Sequence, residues 1–448
     1  MAKPRALPLT CIGEGADPGE LLSTAHARWA AANAFAGQRG RLLALPAEDG
    51  AIAGHLFGLG PLEERPKLVL GLAAAGLEPG TYRLEGDFGD PTLAALGFRL
   101  GAYRFDRYRN ASDAPVLADP AGADGAEVQR LVTAAFLARD LVNTPANELG
   151  PAAFEHQIRD FAARHKMQVK AVVGDDLLAQ NFPMIHAVGR AAAEAPRLME
   201  LNWGKASDPR ITLVGKGVTF DTGGLDIKSA SSMLLMKKDM GGAANVLGLA
   251  HAIMDAQLKV RLRVLIPIVE NAISAAAFRP GDVLPSRSGM TVEIGNTDAE
   301  GRLILADALS LADEDEPDLI LDMATLTGAA RVALGPDLPP LYATDDELAA
   351  DLMTAGAAMG DPLWRMPLWT PYDSYLSSRI ADVNHVSQGG HAGSITAALF
   401  LRRFVKKARV WVHLDIFAWT PEAQAGRPFG GADQGIRAAY GVLKRRYG

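Results

Sequence analysis

The octapeptide "NTDAEGRL", residues 296–303, sets Asp298, Glu300 and Arg302 on alternate positions directly after the apolar alternation "MTVEI". In an extended segment, residues at i and i+2 project to the same side, so two carboxylates and a guanidinium would crowd one face. A surface ion pair between Glu300 and Arg302 would satisfy that arrangement, and so would a metal. Two further segments bear on the choice. "VGKGVTFDTGGLDIK" (214–228) places Lys216 between glycines after an apolar run, Asp221 before the Gly223–Gly224 turn, and Lys228 beyond it. "MKKDMGGAAN" (236–245) puts Asp239 just ahead of a Gly-Gly that opens a helical pattern.

Gathered in one place, Asp221, Asp239, Asp298 and Glu300 would repel one another unless a counter-ion joined them. Oxygen-rich sites suit Mg, Mn and Zn, and two such ions about 3.5–4 Å apart can be bridged by shared carboxylates. A helix opening at residues 300–302 would aim its positive dipole end at the cluster. Lys216 can coordinate a metal only when neutral, and burial with nearby cations depresses a lysine pKa. Lys228 can instead stay charged and polarise a substrate carbonyl. Taken singly, each acid reads more readily as a cap or turn residue, Asp239 as a helix cap in particular; the joint pattern reverses that reading. Competing arrangements are missing, for there is no HExxH, no Cys pair, no GxSxG and no complete GxxxxGK[ST]. His251 and His413 fall on a helical and a strand pattern, where packing accounts for them, while His391 in "GGHAGS" sits in a Gly-rich loop from which it could line a site.

The acids and lysines need elements to hold them. Apolar runs at 211–217, 261–269, 318–324 and 409–416 read as buried strands. Helical patterns occupy 241–256, 301–314, 346–359 and 393–408. Such alternation predicts parallel pairing with both sheet faces covered. Ligands in such sheets collect beyond the carboxyl ends of the strands, where these charged residues fall. The 448-residue length predicts two domains. The division expected is a smaller N-terminal α/β domain at 1–122, a linker helix at 123–150, and a larger α/β catalytic domain at 151–448 with a mostly parallel sheet flanked by helices. With 48% hydrophobic and 22% charged residues the chain can bury a sizeable core. Net charge is −7 and no basic stripe is present, so nucleic acid is not the expected partner. Cys11 is the only cysteine, which excludes an internal disulfide and fits a reducing compartment. The N-terminus lacks the continuous apolar core of a signal peptide and no apolar run is long enough for a membrane span, so a cytoplasmic protein is expected.

Together these segments resemble the leucyl aminopeptidase family, exopeptidases with two zinc or manganese ions and a lysine among the metal ligands. The resemblance runs from about Ala138 to near Asp415, on "VGKGVTFDTGG", "MKKDMGGAAN", "RPGDV", "NTDAEGRLILADAL", "DMATLTGA" and "AGSITAALFL". It implies that Lys216, Asp221, Asp239, Asp298 and Glu300 are the metal ligands, with Asp221 and Glu300 bridging and Asp239 at the metal that receives the substrate's free amine. It further implies that Lys228 is the electrophile beside the scissile carbonyl. Arg302 would anchor a bicarbonate that takes the proton from the attacking water. Thr325, Leu326 and Gly328 would contact substrate, with Met236 and Phe417 beside them. The partners implied are peptides with a free N-terminus and, in a homohexamer, further copies of the chain; some members of the family also bind DNA, against which the acidic balance argues here. Departures are Thr222 in place of Ser, the absence of a small Gly turn before "RPGD", and "HLDIFAWT", where Phe417 and Trp419 bring bulk near the side-chain pocket. Either these rings reshape the pocket toward a first residue other than leucine, or they pack into the core. The first third shows no clear match to the family's N-terminal domain.

Overall fold

Short apolar runs broken by turn residues give a chain of alternating strands and helices, and the computed structural model describes residues 6–109 and 113–448. Two compact units form among them. The smaller comprises the described residues up to Phe136 with Ala358–Gly360 and Thr420–Phe429. The larger comprises Leu137–Ala357, Asp361–Trp419 and Gly430–Gly448. A helix, Gly125–Asn143, carries the chain from the first to the second.

In the smaller unit, β1 (Leu7–Gly13), β2 (Leu42–Pro46), β3 (Ile52–Gly60), β4 (Thr81–Gly86) and β5 (Val116–Leu117) form one sheet in the order β2-β3-β1-β4-β5. β1 runs parallel to β3 and to β4, while β2 is antiparallel to β3. The alternation seen in the sequence thus produces a small α/β layer, with Leu9, Leu56, Phe57 and Leu59 wholly buried.

The larger unit contains β6 (Gln168–Val173), β7 (Arg197–Trp203), β8 (Arg210–Gly215), β9 (Gly217–Asp221) and β10 (Arg261–Asn271). A small side sheet is made by β11 (Val283–Pro285), β12 (Thr291–Glu293) and, later in the chain, β16 (Val383–Asn384). β13 (Leu319–Ala324), β14 (Pro340–Ala343), β15 (Trp364–Arg365) and β17 (Trp411–Asp415) complete the main sheet, ordered β15-β14-β17-β13-β8-β10-β7-β6, with β9 beside the end of β10. The four runs read from the sequence as buried strands are β8, β10, β13 and β17, and they stand together at its centre, all parallel. Antiparallel pairing enters only outside them, at β7, β6 and β14. Continuous apolar strands need cover on both faces, and helices Gly241–Asp255 and Glu300–Glu314 pack on this central group. Leu303, Ile304, Leu305, Ala306, Ala308 and Leu309 are all fully buried, so the second of these helices is held in the core and its first turn has no freedom to wander.

Two sequence expectations change. Residues 296–303 are not extended: Thr297–Ala299 make a 3-10 turn and the α-helix starts at Glu300. The Asn296 side chain accepts from the Asp298 N–H and bends the chain there. The helix expected to reach 408 ends at Arg402. Beyond it, the Asp313 carboxylate accepts the N–H groups of Lys406, Lys407 and Ala408, offering that backbone a better partner than another helical turn.

A buried polar group ties β13 to β17. Asp322 and His413 are register partners, both completely buried. The Asp322 carboxylate accepts from His413 Nδ1 at 2.5 Å and from Trp411 Nε1 at 2.7 Å. Burial pushes the His413 pKa down, but the adjacent Asp322 outweighs it and the net shift is upward. Asp322→Ala leaves two buried donors without an acceptor and is expected to lower the unfolding free energy by about 3–5 kcal/mol, read from urea midpoints. His413 holds its proton more tightly folded than unfolded. Its contribution is therefore full below about pH 6.5 and is lost as the pH rises through the elevated folded value. A pH series of midpoints should show that decline in the wild type and a flatter profile in Asp322→Ala.

Candidate active site

The central strands end at one place. Lys216 follows β8, Asp221 closes β9, Thr325 follows β13 and Asp415 closes β17. The backbone fixes the first of these, since Lys216 N donates to Met323 O at 3.1 Å and its carbonyl accepts from Ala243 N at 2.9 Å. Asp239 lies in the 3-10 turn Met236–Met240 that leads into helix Gly241–Asp255. It does not cap that helix; its Oδ1 accepts from Thr325 Oγ1 at 2.8 Å. Asp298 and Glu300 come from the turn and helix start described above. Lys216, Asp221, Lys228, Asp239, Asp298, Glu300 and Arg302, with Met236, Thr325, Leu326, Gly328 and Phe417, line a single cavity of about 360 Å³.

Inside it, Lys216 Nζ stands 2.7 Å from Asp239 Oδ2 and 3.0 Å from Glu300 Oε1, and donates to Thr325 O at 2.8 Å. Lys228 Nζ stands 2.9 Å from Asp221 Oδ2 and also contacts Asp298 Oδ1. Asp221 Oδ1 accepts from Asn271 Nδ2 at 2.8 Å and from Gly223 N at 2.9 Å. Arg302 does not turn to Glu300. Its Nη1 donates to His385 O at 2.6 Å, and its buried Nε meets no acceptor.

The electrostatics record crowding. Burial, with Asp221 alongside, pushes Glu300 up to about 8 and Asp298 up to about 6. Burial opposes ionisation of Asp239 as well, but Lys216 and Lys238 outweigh it and hold that carboxyl low. Lys216 and Lys228 are both desolvated, yet the surrounding carboxylates hold both as strong cations, their pKa values above the ordinary lysine range. Burial lowers Arg302 to about 10 and Lys238 to about 8. Asp239 Oδ2 and both Glu300 oxygens are buried without a hydrogen bond of acceptable geometry, although Lys216 is at ion-pair distance. Oxygens of Asp221, Asp298 and Glu300 all lie within 4.8 Å of one another. Buried acceptors left without donors, converging on a few ångströms, fit hard divalent cations.

The comparisons with known proteins agree with this geometry. Residues 136–439 match the catalytic domain of the cytosol aminopeptidase family, and residues 16–118 match the M17 aminopeptidase N-terminal domain. The chain belongs to the cytosol aminopeptidase family. It is 41% identical to a probable cytosol aminopeptidase of Roseiflexus castenholzii, over 79% of this chain and 76% of that one. It is 38% identical to another of Methylobacterium radiotolerans, over 94% and 89%. Among solved structures it resembles the cytosol aminopeptidase of Coxiella burnetii, with a TM-score of 0.93 and 44% identity over 100% of this chain and 99% of that one. It also resembles a bottromycin maturation enzyme in complex with Mn, with a TM-score of 0.90 and 34% identity over 99% and 100%. The chain is thus an enzyme of the aminopeptidase class, and the N-terminal region, whose sequence carries no clear motif of the family, matches the family's own N-terminal domain over residues 16–118.

Three polar residues of the cavity wall, and an acid behind them, escaped the sequence reading. Lys238 and Arg331 line the wall beside Phe417, and Thr327 lines it next to Leu326. Asp415, behind them, accepts from Leu326 N, Thr327 N and Thr327 Oγ1 and so fixes that loop. Asp415 carried the same signal as Asp221, an acid closing an apolar strand. Lys238 was hidden beside Asp239, and Arg331 reaches the cavity only because helix Gly328–Leu334 folds there. His391 does not line the cavity.

The close fit of Lys216 depends on Gly301. A Cβ at Gly301 would stand 2.4 Å from Lys216 Cε and 2.8 Å from its Nζ. Gly301→Ala is expected to displace the ammonium group and lower kcat/KM by about 10²-fold, as a misplacement near 1 Å does, with the circular dichroism spectrum unchanged.

Proposed function

We propose that this chain is a metal-dependent leucyl-type aminopeptidase that releases N-terminal amino acids from peptides. One observation carries the reading. Lys216, Asp221, Asp239, Asp298 and Glu300, which converge from three separate segments of the sequence, surround the same small volume with buried acceptor oxygens left over. These five would hold two divalent ions, Mn or Zn, whose charge would take over the role of the Lys216 ammonium beside Asp239 and Glu300 and so favour the neutral, ligating form of that lysine. When bound, such ions supply Lewis acidity and lower the pKa of water so that hydroxide is available near neutral pH.

The chain's own groups do the rest. Lys228, held charged by Asp221, is placed to donate to the scissile carbonyl oxygen as negative charge develops there. Arg302 keeps a buried Nε donor free of any protein acceptor, which suits it to hold a small anion such as bicarbonate as the base. Met236, Thr325, Leu326, Gly328 and Phe417 line the rest of the cavity and would seat the substrate's first residues. A free amine received at the Asp239 end would restrict cleavage to the N-terminus.

In this proposal residues 1–122 are the N-terminal domain, 123–150 the connection and 151–448 the catalytic domain. The protein acts as a homohexamer in cytoplasmic peptide turnover, in keeping with the name cytosol aminopeptidase borne by its relatives. Among the described residues no helix is long and apolar enough to cross a membrane. The net charge of −7 argues against a nucleic-acid partner.

Stripping with EDTA is expected to abolish hydrolysis of leucine amide, and Mn or Zn to restore it; an EDTA-treated enzyme at full activity would defeat the metal assignment. Glu300→Ala is expected to lower kcat/KM by more than about 10²-fold with unfolding behaviour retained. Near-normal turnover in that variant would remove Glu300 from the site.

A further inference from the structure

The wall of the cavity beyond Asp239 is cationic. Phe417 lines it, with Lys238 Nζ 4.6 Å and Arg331 Cζ 5.0 Å from its ring centroid. Lys238 is 5% exposed, whereas Arg331 is open to solvent. Among the described residues, the Phe417 ring is the one partner recorded for either side chain. The carboxylates that act on Lys238 are Asp239 and Asp415. Both are already engaged. Asp239 Oδ2 is 2.7 Å from Lys216 Nζ, and Asp415 accepts from Leu326 N at 3.0 Å, Thr327 N at 3.1 Å and Thr327 Oγ1 at 2.6 Å.

A desolvated ammonium group and a guanidinium on one aromatic ring repel each other, and the ring's quadrupole offsets only part of that. A carboxylate within reach of both would relieve that repulsion through charge-assisted hydrogen bonds, the one to Lys238 largely shielded from water. Lys238 directly precedes Asp239, the ligand at the end of the site that receives the free amine on the proposed reading. Phe417, whose ring carries both cations, lines the same cavity and on that reading seats the substrate's first side chain.

We infer that the first-residue pocket takes an acidic side chain, with Lys238 and Arg331 reading its carboxylate, so that peptides beginning with Glu or Asp are preferred substrates. This deepens the aminopeptidase reading above and rests on it. It also gives Phe417 a definite task, since the ring holds both cations at the pocket wall.

The test is a panel of aminoacyl 4-nitroanilides of Glu, Asp, Gln, Asn, Leu and Lys with the full-length, Mn-loaded enzyme. These substrates carry no C-terminal carboxylate, so a Glu preference can come only from the first side chain. Glu and Gln have the same shape, and the ratio of their kcat/KM values isolates the charge. It is expected to exceed about tenfold, carried mostly by KM. Arg331→Gln and Lys238→Gln should each reduce that ratio by about tenfold, and Arg331→Lys should preserve most of it. Arg331→Glu should raise Lys over Gln. Arg331 is exposed, so its variants test the idea even if the buried Lys238→Gln fails to fold. Cleavage of the leucyl anilide with Glu and Gln at parity would overturn this inference alone, as would a wild-type ratio that both Gln variants leave unchanged. If no anilide is cleaved with Mn or with Zn, the aminopeptidase reading falls and this inference falls with it.

Discussion

Mutual repulsion among four carboxylates is the constraint around which the larger unit is arranged. Asp221, Asp239, Asp298 and Glu300 meet in a cavity where Asp221, Asp239 and Glu300 are almost wholly removed from water. Two like charges 4 Å apart repel by about 4 kcal/mol at an effective dielectric constant of 20, so such a group cannot stand unassisted. The protein answers with two ammonium groups. Lys216 stands between Asp239 and Glu300, and Lys228 between Asp221 and Asp298. That division leaves the Glu300 oxygens short of hydrogen bonds, with Glu300 itself inclined to keep a proton up to about pH 8. The deficit is what makes the place hospitable to divalent cations.

Holding such a group demands rigid supports, and the sheet supplies them. Parallel strands at the centre bring their carboxyl ends to one edge, and the residues just past those ends have backbones already committed to hydrogen bonds. Helix Glu300–Glu314 enters the same edge with its N-terminus forward, so the partial positive charge of its first turn falls on Glu300 itself. Because the helix is buried around its whole circumference, Glu300 and Arg302 inherit the immobility of the core. Gly301 lies between them because Lys216 occupies the space a side chain would need. Each support is an ordinary feature of packing; the chemistry comes from their meeting.

The cavity has two characters. Toward Asp298 and Arg302, carboxylates, Lys228 and an arginine with a spare donor suit water activation and carbonyl polarisation. Toward Phe417, the wall is aromatic and cationic. Asp415 joins the two, since its carboxylate fixes the Leu326–Thr327 backbone while contributing to the field at Lys238. The choice of substrate should follow from the second character.

The motifs "VGKGVTFDTGGLDIK", "MKKDMGGAA" and "NTDAEGR" already contained the acids and the two lysines, Lys216 and Lys228, that meet at the carboxylate cluster, because donor atoms are written directly in residue types. The four central strands were legible for a similar reason: a strand buried on both faces must be continuously apolar. Other features were not. Residues 296–303 looked extended because alternation is a strand signal, yet the Asn296 side chain turned the backbone there. The helix beyond Arg402 looked continuous until Asp313, from another helix, took its backbone N–H groups. Asp415 as the holder of the Leu326–Thr327 loop, Arg302 turned to His385 rather than to Glu300, and two cations on one aromatic ring all depend on contacts between residues distant in sequence. Donor chemistry and burial pattern are local properties that the sequence determines by itself. Which donors remain unsatisfied, and which charges face each other across a cavity, is decided only when the chain is folded, because both depend on distances the sequence does not contain.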